Sequence, residues 1–370
     1  MLPEAAAKSL SRWLRPLVGG VLATTLGACS TAGYLLQAAD GEARLLARRR
    51  PLGSVIADPA TPPALRGQLE TVRAAREFAV RALALPDNAS YRSYADIGRP
   101  YVVWNVIAAP QFSVEPRRWC FPFTGCVAYR GYFRERNARR YAERLARRGD
   151  DVLVAGVSAF STLGHFADPV VSSMLRQGEN ALVATLFHEL AHQLLYVRGD
   201  TEFNEAFAMT VEQEGLTRWL EQRGRGAELA DFLAQRGRQA AETAILVGAR
   251  SALAALYATA LPPAQKRLRK QALLEQAARD IQDYARAQGV TSGYQAWIEA
   301  GLNNAHLAAV ASYQGCIPGF QRLLAQAGGD LPRFYAAARA LGRGPSGPRR
   351  ALCAGPVGGA GATAPTSPRR

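Results

Sequence analysis

Hydrophobic and polar positions along this chain follow two periods. From Thr201 to Leu341 apolar residues recur every three or four positions with few breaks, the spacing of amphipathic helices. Tyr34–Ala84 reads the same way, interrupted by the proline-rich stretch Pro59–Pro63. Between these helical regions the period shortens. Tyr101–Ala108 and Gly125–Tyr132 are β-rich, and Asp151–Ser161 alternates and is rich in Val, which predicts a strand. An Arg/Ala/Glu helix is expected from about Phe133 to Arg148. A strongly apolar helix is expected from about Glu179 to Tyr196, carrying Leu182, Val183, Leu186, Phe187, Leu190, Leu194 and Leu195. Gly199 supplies a stop for it, and Asp200 or Thr201 a cap for the next helix. The fold class is therefore α+β and predominantly helical, with a small sheet before the apolar helix. One domain is expected over residues 29–341, an α/β lobe to about residue 200 and a helical lobe over 201–341. The tail Gly342–Arg370 is rich in Gly, Pro, Ala and Ser and is expected to be disordered apart from the neighbourhood of Cys353.

The apolar helix carries the chemistry. It contains Phe187-His188-Glu189-Leu190-Ala191-His192, followed twelve residues later by Asn204-Glu205-Ala206-Phe207-Ala208. Residues four apart share a helix face, so His188 and His192 can offer imidazoles to one cation. Glu189 lies about 100° around the helix, beside such a metal but not on it, where a base can take a proton from water. A catalytic zinc site uses three protein ligands and keeps one position open, and Glu205 completes the set. Glu212, seven residues further along the same helical face, can accept a hydrogen bond from the outer nitrogen of a ligand histidine. Asn204 can orient Glu205 or cap its helix. The chain has only four histidines, and two of them fall in this motif. Leu195 and Arg198 stand where HExxHxxGxxH would place Gly and His, which excludes the metzincin pattern.

HELAH with a downstream NEAFA glutamate resembles the gluzincins, the zincin group that includes thermolysin-like and leukotriene-hydrolase-like peptidases. The interval between His192 and Glu205 is shorter than in most of that group, and no GAMEN-like segment is present. Other blocks extend the likeness: YLLQAADGEARLLARRRP, GCVAYRGYF, VSAFSTLGHFADPVVSSML, FHELAHQLLYVRGDTEFNEAFAMTVEQEG, LNNAHLAAVASYQGCIPGF and GGDLPRFY. Together they resemble a bacterial family of lipoproteins described as predicted aminopeptidases. The resemblance implies a zincin-like, zinc-dependent peptidase at the cell envelope and leaves the substrate open. In zincin folds the strand before the active helix forms the cleft edge, where a peptide pairs as an added strand, and Val157–Leu163 is the candidate.

Lys8, Arg12 and Arg15 followed by the apolar run Leu17–Leu26 read as a signal peptide over residues 1–28. Leu26-Gly27-Ala28-Cys29 resembles a lipobox, which makes Cys29 the expected lipid-modified residue. Ser30 after it resembles sorting to the periplasmic side of the outer membrane, with lipid chains as the membrane anchor. In that oxidising compartment Cys120 and Cys126, which bracket the turn-rich Phe-Pro-Phe-Thr-Gly, are expected to form a disulfide. Cys316 with Cys353 would pin the carboxyl end.

Net charge is +15; removing Lys8, Arg12, Arg15 and Glu4 with the first 28 residues leaves +13. Lysine occurs only at 8, 266 and 270, and the arginine runs fall on helix-like segments with Ala, Glu and Leu. Solvated helix faces account for the charge, and nucleic acid is not an expected partner.

The expected activity is peptide hydrolysis, with one Zn²⁺ on His188, His192 and Glu205 and with Glu189 as general base. An oxyanion donor is also needed. Tyr129, Tyr132, His165, His306 and Tyr313 all qualify by residue type, and Tyr313 is preferred because its block shares the family likeness. Two other function classes stand beside this one: a non-catalytic envelope chaperone or assembly lipoprotein on a zincin fold, and a zinc amidase acting on cell-wall peptides.

Overall fold

The computed structural model describes residues 33–121, 125–314 and 316–353. The chain divides into two compact units, Met1–Arg48 and Arg49–Arg370. Of the first, the described part is a helix over 33–47 (α1), with an Arg44–Asp40 ion pair one turn apart.

The second unit is α+β and predominantly helical. A short strand β1 (Arg50–Pro51) leads into α2 (Leu52–Ala57) and α3 (Pro63–Arg81), which starts on Pro63 as a proline-initiated helix does. Next come β2 (Ser93–Ala95), β3 (Val103–Pro110), β4 (Trp119–Phe121), β5 (Gly125–Val127), β6 (Arg130–Tyr132), α4 (Glu135–Ala146), β7 (Asp150–Val157) and β8 (Val170–Val171). The main sheet has the order β6-β3-β7, all antiparallel, with Trp104 opposite both Tyr132 and Gly156. β3 is buried along nearly its whole length, whereas β7 is only half-buried and lies at the sheet edge. A second small sheet runs β1-β2-β8, its β2–β8 pair parallel. β4 and β5 form a separate hairpin closed by the Cys120–Cys126 disulfide.

The remaining chain is helical: α5 (Glu179–Leu194), α6 (Thr201–Gln222), α7 (Gly226–Ala258), α8 (Pro263–Ala287), α9 (Gln295–Ala300), α10 (Asn304–Gln314), α11 (Ile317–Gln326), α12 (Leu331–Arg343) and α13 (Ser346–Cys353). The apolar run expected in α5 is buried as Leu182, Val183, Leu186, Phe187 and Leu190. The Phe187 ring meets Trp219 of α6 at 6.3 Å and Phe78 of α3 at 5.9 Å, so one aromatic cluster holds α3, α5 and α6 together. Gly215 lets α6 approach α5 closely. A Cβ there would stand 2.8 Å from both the Leu83 and the Phe187 side chains, well inside ordinary carbon contact. A second aromatic cluster of Phe203, Phe207, Phe320, Phe334 and Tyr335 seats α11 and α12 on α6.

Two expectations need correction. The strand expected to reach Ser161 ends at Val157. Of the expected cleft edge Val157–Leu163 only Val157 pairs in the sheet, opposite Val103, and the chain leaves it from Ser158 on. Serine and threonine side chains there offer the backbone local partners. Asp168 accepts from the Thr162 amide (3.1 Å), the Thr162 hydroxyl (2.7 Å) and the Ser161 hydroxyl (3.3 Å), and Leu163 sits in the left-handed region at φ 57°. The boundary drawn at residue 341 is also early. α12 continues to Arg343, and α13 follows over Ser346–Cys353, tied down by the Cys316–Cys353 disulfide. The rest of the expected tail, the expected signal peptide and Cys29 lie outside the described residues.

Candidate metal centre

α5 starts after Gly178, whose φ of 85° suits glycine, and carries Glu179 in its first turn, where a carboxylate complements the helix dipole. The helix ends at Leu194, two residues short of the expected end. α6 begins at Asp200, whose carboxylate accepts from the Phe203 amide as an N-cap. Asn204 is buried and serves the turn between the two helices. Its Oδ1 accepts from the Val197 amide at 2.7 Å and its Nδ2 donates to the Val197 carbonyl at 2.8 Å. The expected second-sphere role of Asn204 thus becomes a backbone clamp on the α5–α6 connection, and Asp200 is the cap. The disulfide hairpin buttresses the same connection, because Arg118 donates to both Cys126 O (3.0 Å) and Gly199 O (2.7 Å).

This framework brings His188, His192 and Glu205 together. His188 Nε2 and His192 Nε2 are 3.1 Å apart, and Glu205 Oε2 lies 3.4 Å from the first and 3.6 Å from the second. Four donors at 2.0–2.1 Å around a tetrahedral zinc stand about 3.3 Å from one another. A triangle with these edges fits three of them, and the N, N, O set matches a catalytic site with one position open. The Glu212 carboxylate accepts from His188 Nδ1 at 3.0 Å. A carboxylate only accepts, so Nδ1 carries a proton and Nε2 is the ring nitrogen left facing the triangle, where a metal would displace its proton. His192 Nδ1 is buried and has no hydrogen-bond partner among the described residues.

The charges depend on one another. Burial would raise the Glu205 carboxyl, but His192 and His188 overcome it and hold the group at about 2. Burial also disfavours charge on His188, yet its hydrogen bonds to Glu205 and Glu212 lift it well above the ordinary histidine range. Glu212 is held down against burial by His188 and then Arg236, which donates to its other oxygen at 3.1 Å. Glu189, next to His188 on α5, is pushed up by burial. The two histidines pull it down, and the charges of Glu205 and Asp168 add to the rise.

Of the residues considered for the oxyanion, three occupy structural positions. Tyr129 packs on Ile107, Leu153, Ala305 and Ala309, and Tyr132 is buried against Tyr141. His306 is buried against the Trp297 ring, its Nδ1 2.9 Å from Asn303 Oδ1, and burial pushes it down to about 4. His165 lies in an exposed loop. Tyr313 falls in the last turn of α10, and its side chain is outside the described residues. Asn303 accepts from the first amides of α10, and Asn304 donates to Pro110 O and Gln111 O, so both build the helix start.

Sequence reasoning missed four residues around the site. Arg236 reaches Glu212 from α7, and nothing in its local sequence marks it. Tyr196, just beyond α5, is raised by burial and by the Glu205 charge, and it stood unremarked inside the motif block. Tyr91 is fully buried in the left-handed region at φ 61°, its amide donating to Asp168 O at 2.6 Å; burial, then the Glu189 and Asp168 charges, push its phenol well up. Asp168 is raised chiefly by burial, against its Thr162 and Ser161 hydrogen bonds.

No curated relative and no solved structure matches this chain. A family model described as "Putative aminopeptidase" matches residues 33–352, which include every donor of the triangle. With a match over most of its length, the chain belongs to that family.

Proposed function

We propose that this protein is a zinc-dependent peptidase acting at the cell envelope. Family membership supports peptidase activity, and the convergence of His188, His192 and Glu205 within 3.6 Å of one another is the observation that carries the zinc reading. Zinc held by those three side chains supplies Lewis acidity, making water acidic near neutral pH and polarising the scissile carbonyl. The residues of the chain do the rest. Glu212 and Arg236 fix the His188 ring, and the Val197 clamp with the Asp200 cap fixes the helix that presents Glu205. Glu189 takes the proton of the attacking water and returns it to the departing amine. Its partial burial raises its basicity toward the range such a base needs. Tyr196, raised by burial and by the Glu205 charge, stands beside Tyr313 as a candidate oxyanion donor. Attachment through Cys29 to the periplasmic face of the outer membrane is the location the amino-terminal sequence supports.

The test is metal content and cleavage of a peptide mixture by the chain expressed from residue 30 onward, beside Glu205→Ala and Glu189→Gln. About one zinc per chain is expected, lost in Glu205→Ala and kept in Glu189→Gln, with cleavage lost in both. Zinc in none of the three would overturn the metal reading. Full cleavage by Glu189→Gln would remove the general base. Zinc without cleavage of any peptide would return the weight to an envelope assembly factor.

A further inference from the structure

α5, α6 and α7 enclose a cavity of about 590 Å³ that is lined by none of the three candidate zinc donors. Its size is that of a small-molecule site. Its lining combines the small or apolar Ala181, Ala184, Leu216 and Phe232 with the amides of Gln177, Asn180, Gln235 and Gln239. Amide side chains donate and accept at once, which complements a peptide backbone. Gln177 also donates to the Ser158 hydroxyl at 2.9 Å, which links the cavity wall to the end of the edge strand β7.

The charges in the wall sort into two kinds. Glu212 and Arg236 satisfy each other at 3.1 Å, and Glu228 is held by Arg225 and by Asn180 at 3.0 Å. Asp231 and Arg238 line the same cavity and have no ion-pair or hydrogen-bond partner among the described residues. Seven residues apart on α7, they share a helix face and stand about 10 Å apart along its axis. An extended chain advances about 3.3–3.6 Å per residue, so a peptide of about three residues spans that distance.

From this geometry we infer that the cavity binds short peptides with both ends free, the ammonium on Asp231 and the terminal carboxylate on Arg238. The site adjoins the candidate metal centre without being part of it. Glu212 is the shared wall, one oxygen facing His188 and the other facing Arg236, so an occupant that shifts Arg236 also reaches the His188 ring. The choice of peptide as ligand rests on the peptidase reading, whereas the cavity and its two open charges do not.

The experiment is calorimetric titration of the chain carrying Glu189→Gln, which stops turnover, with trialanine, its N-acetyl form and its carboxamide. It is run with zinc and again on the metal-free Glu205→Ala chain. Trialanine is expected to bind in both, and blocking either end to weaken binding about tenfold or more. Asp231→Asn should abolish the penalty for acetylation and leave that for amidation, and Arg238→Gln should do the reverse. Both substitutions are on the helix surface, and an unchanged circular dichroism spectrum confirms the fold. Equal binding of all three peptides, no binding, or binding that needs zinc and ignores both variants would overturn the proposal. Because the metal-free chain is tested too, failure of the zinc reading leaves this result interpretable.

Discussion

The contacts of the Glu205 carboxylate with His192 and His188 give the metal-free protein a stability profile with two opposite flanks. Glu205 titrates at about 2 in the folded chain against an ordinary 4.5. At about 1.4 kcal/mol per pH unit, that depression corresponds to about 3 kcal/mol of stability. The raised value of His188 is in part the same contact seen from its partner, so it is not added again. A depressed carboxylate contributes fully above its unfolded value and loses the contribution as pH falls, here from 4.5 toward about 2. A raised histidine contributes fully below 6.5 and loses it as pH rises through its folded value. The pair therefore stabilises most between those two unfolded values. Zinc held as proposed would show the opposite trend on the alkaline side, because histidine ligands must be neutral and affinity then rises with pH. Glu189 and Asp168, both raised by burial, add their own pH dependence to the curve of either chain. Glu205→Gln retains both groups while removing the pair, so the difference between the two chains reports the pair together with the relief of its charge on Glu189. The assay is urea unfolding of chelator-treated protein from about pH 3 to about pH 9, wild type beside variant. The difference should peak between about pH 4.5 and about pH 6.5 and shrink on both sides. A difference that stays flat, or one that grows above the histidine range, would refute the reasoning.

Three further outcomes follow from particular contacts. Glu212→Gln keeps the side-chain volume and removes the charge facing His188 Nδ1; chelator competition should show zinc affinity about 10–100-fold lower, and unchanged affinity would leave Glu212 with only a folding role. Gly215→Val places carbon 2.8 Å from Leu83 and Phe187, which should cost about 1–3 kcal/mol in urea unfolding, and a variant as stable as wild type would deny the close approach of α5 and α6. Replacing Cys316 and Cys353 together by Ser opens a cross-link with a sequence separation of 37, worth up to about 4 kcal/mol by loop entropy. An unchanged thermal midpoint in that double variant would show that the bridge does not stabilise the fold.

What could be read from the sequence was local. His188, Glu189 and His192 share one helix, and a helix has a fixed angular repeat, so their mutual placement needs no tertiary knowledge. Glu205 and Glu212 were reachable because their helix starts at a recognisable stop and cap, Gly199 and Asp200. The limits appear where geometry depends on distant chain. Arg236 meets Glu212 only because α7 crosses α6, and Tyr91 takes a left-handed backbone that its residue type disfavours. The end of β7 is hard to place because the Val-rich alternation that predicts the strand is followed by Phe160, another strand-favouring residue. Asp168, seven residues beyond Ser161, instead recruits Ser161 and Thr162 into a loop.

The start of α6 depends on the far end of the chain. Arg349 in α13 donates from Nε to the Asp200 carboxylate at 2.9 Å, and its Nη1 donates to the carbonyls of Leu341, Gly342 and Gly344. Asp200 is the residue that caps the helix bearing Glu205, and the Cys316–Cys353 bridge fastens α13 in place. Synthesis runs from the amino end, so both histidines are made long before the segment that steadies their carboxylate partner. Full bracing of the Asp200 cap therefore waits on a residue 149 positions further along the chain.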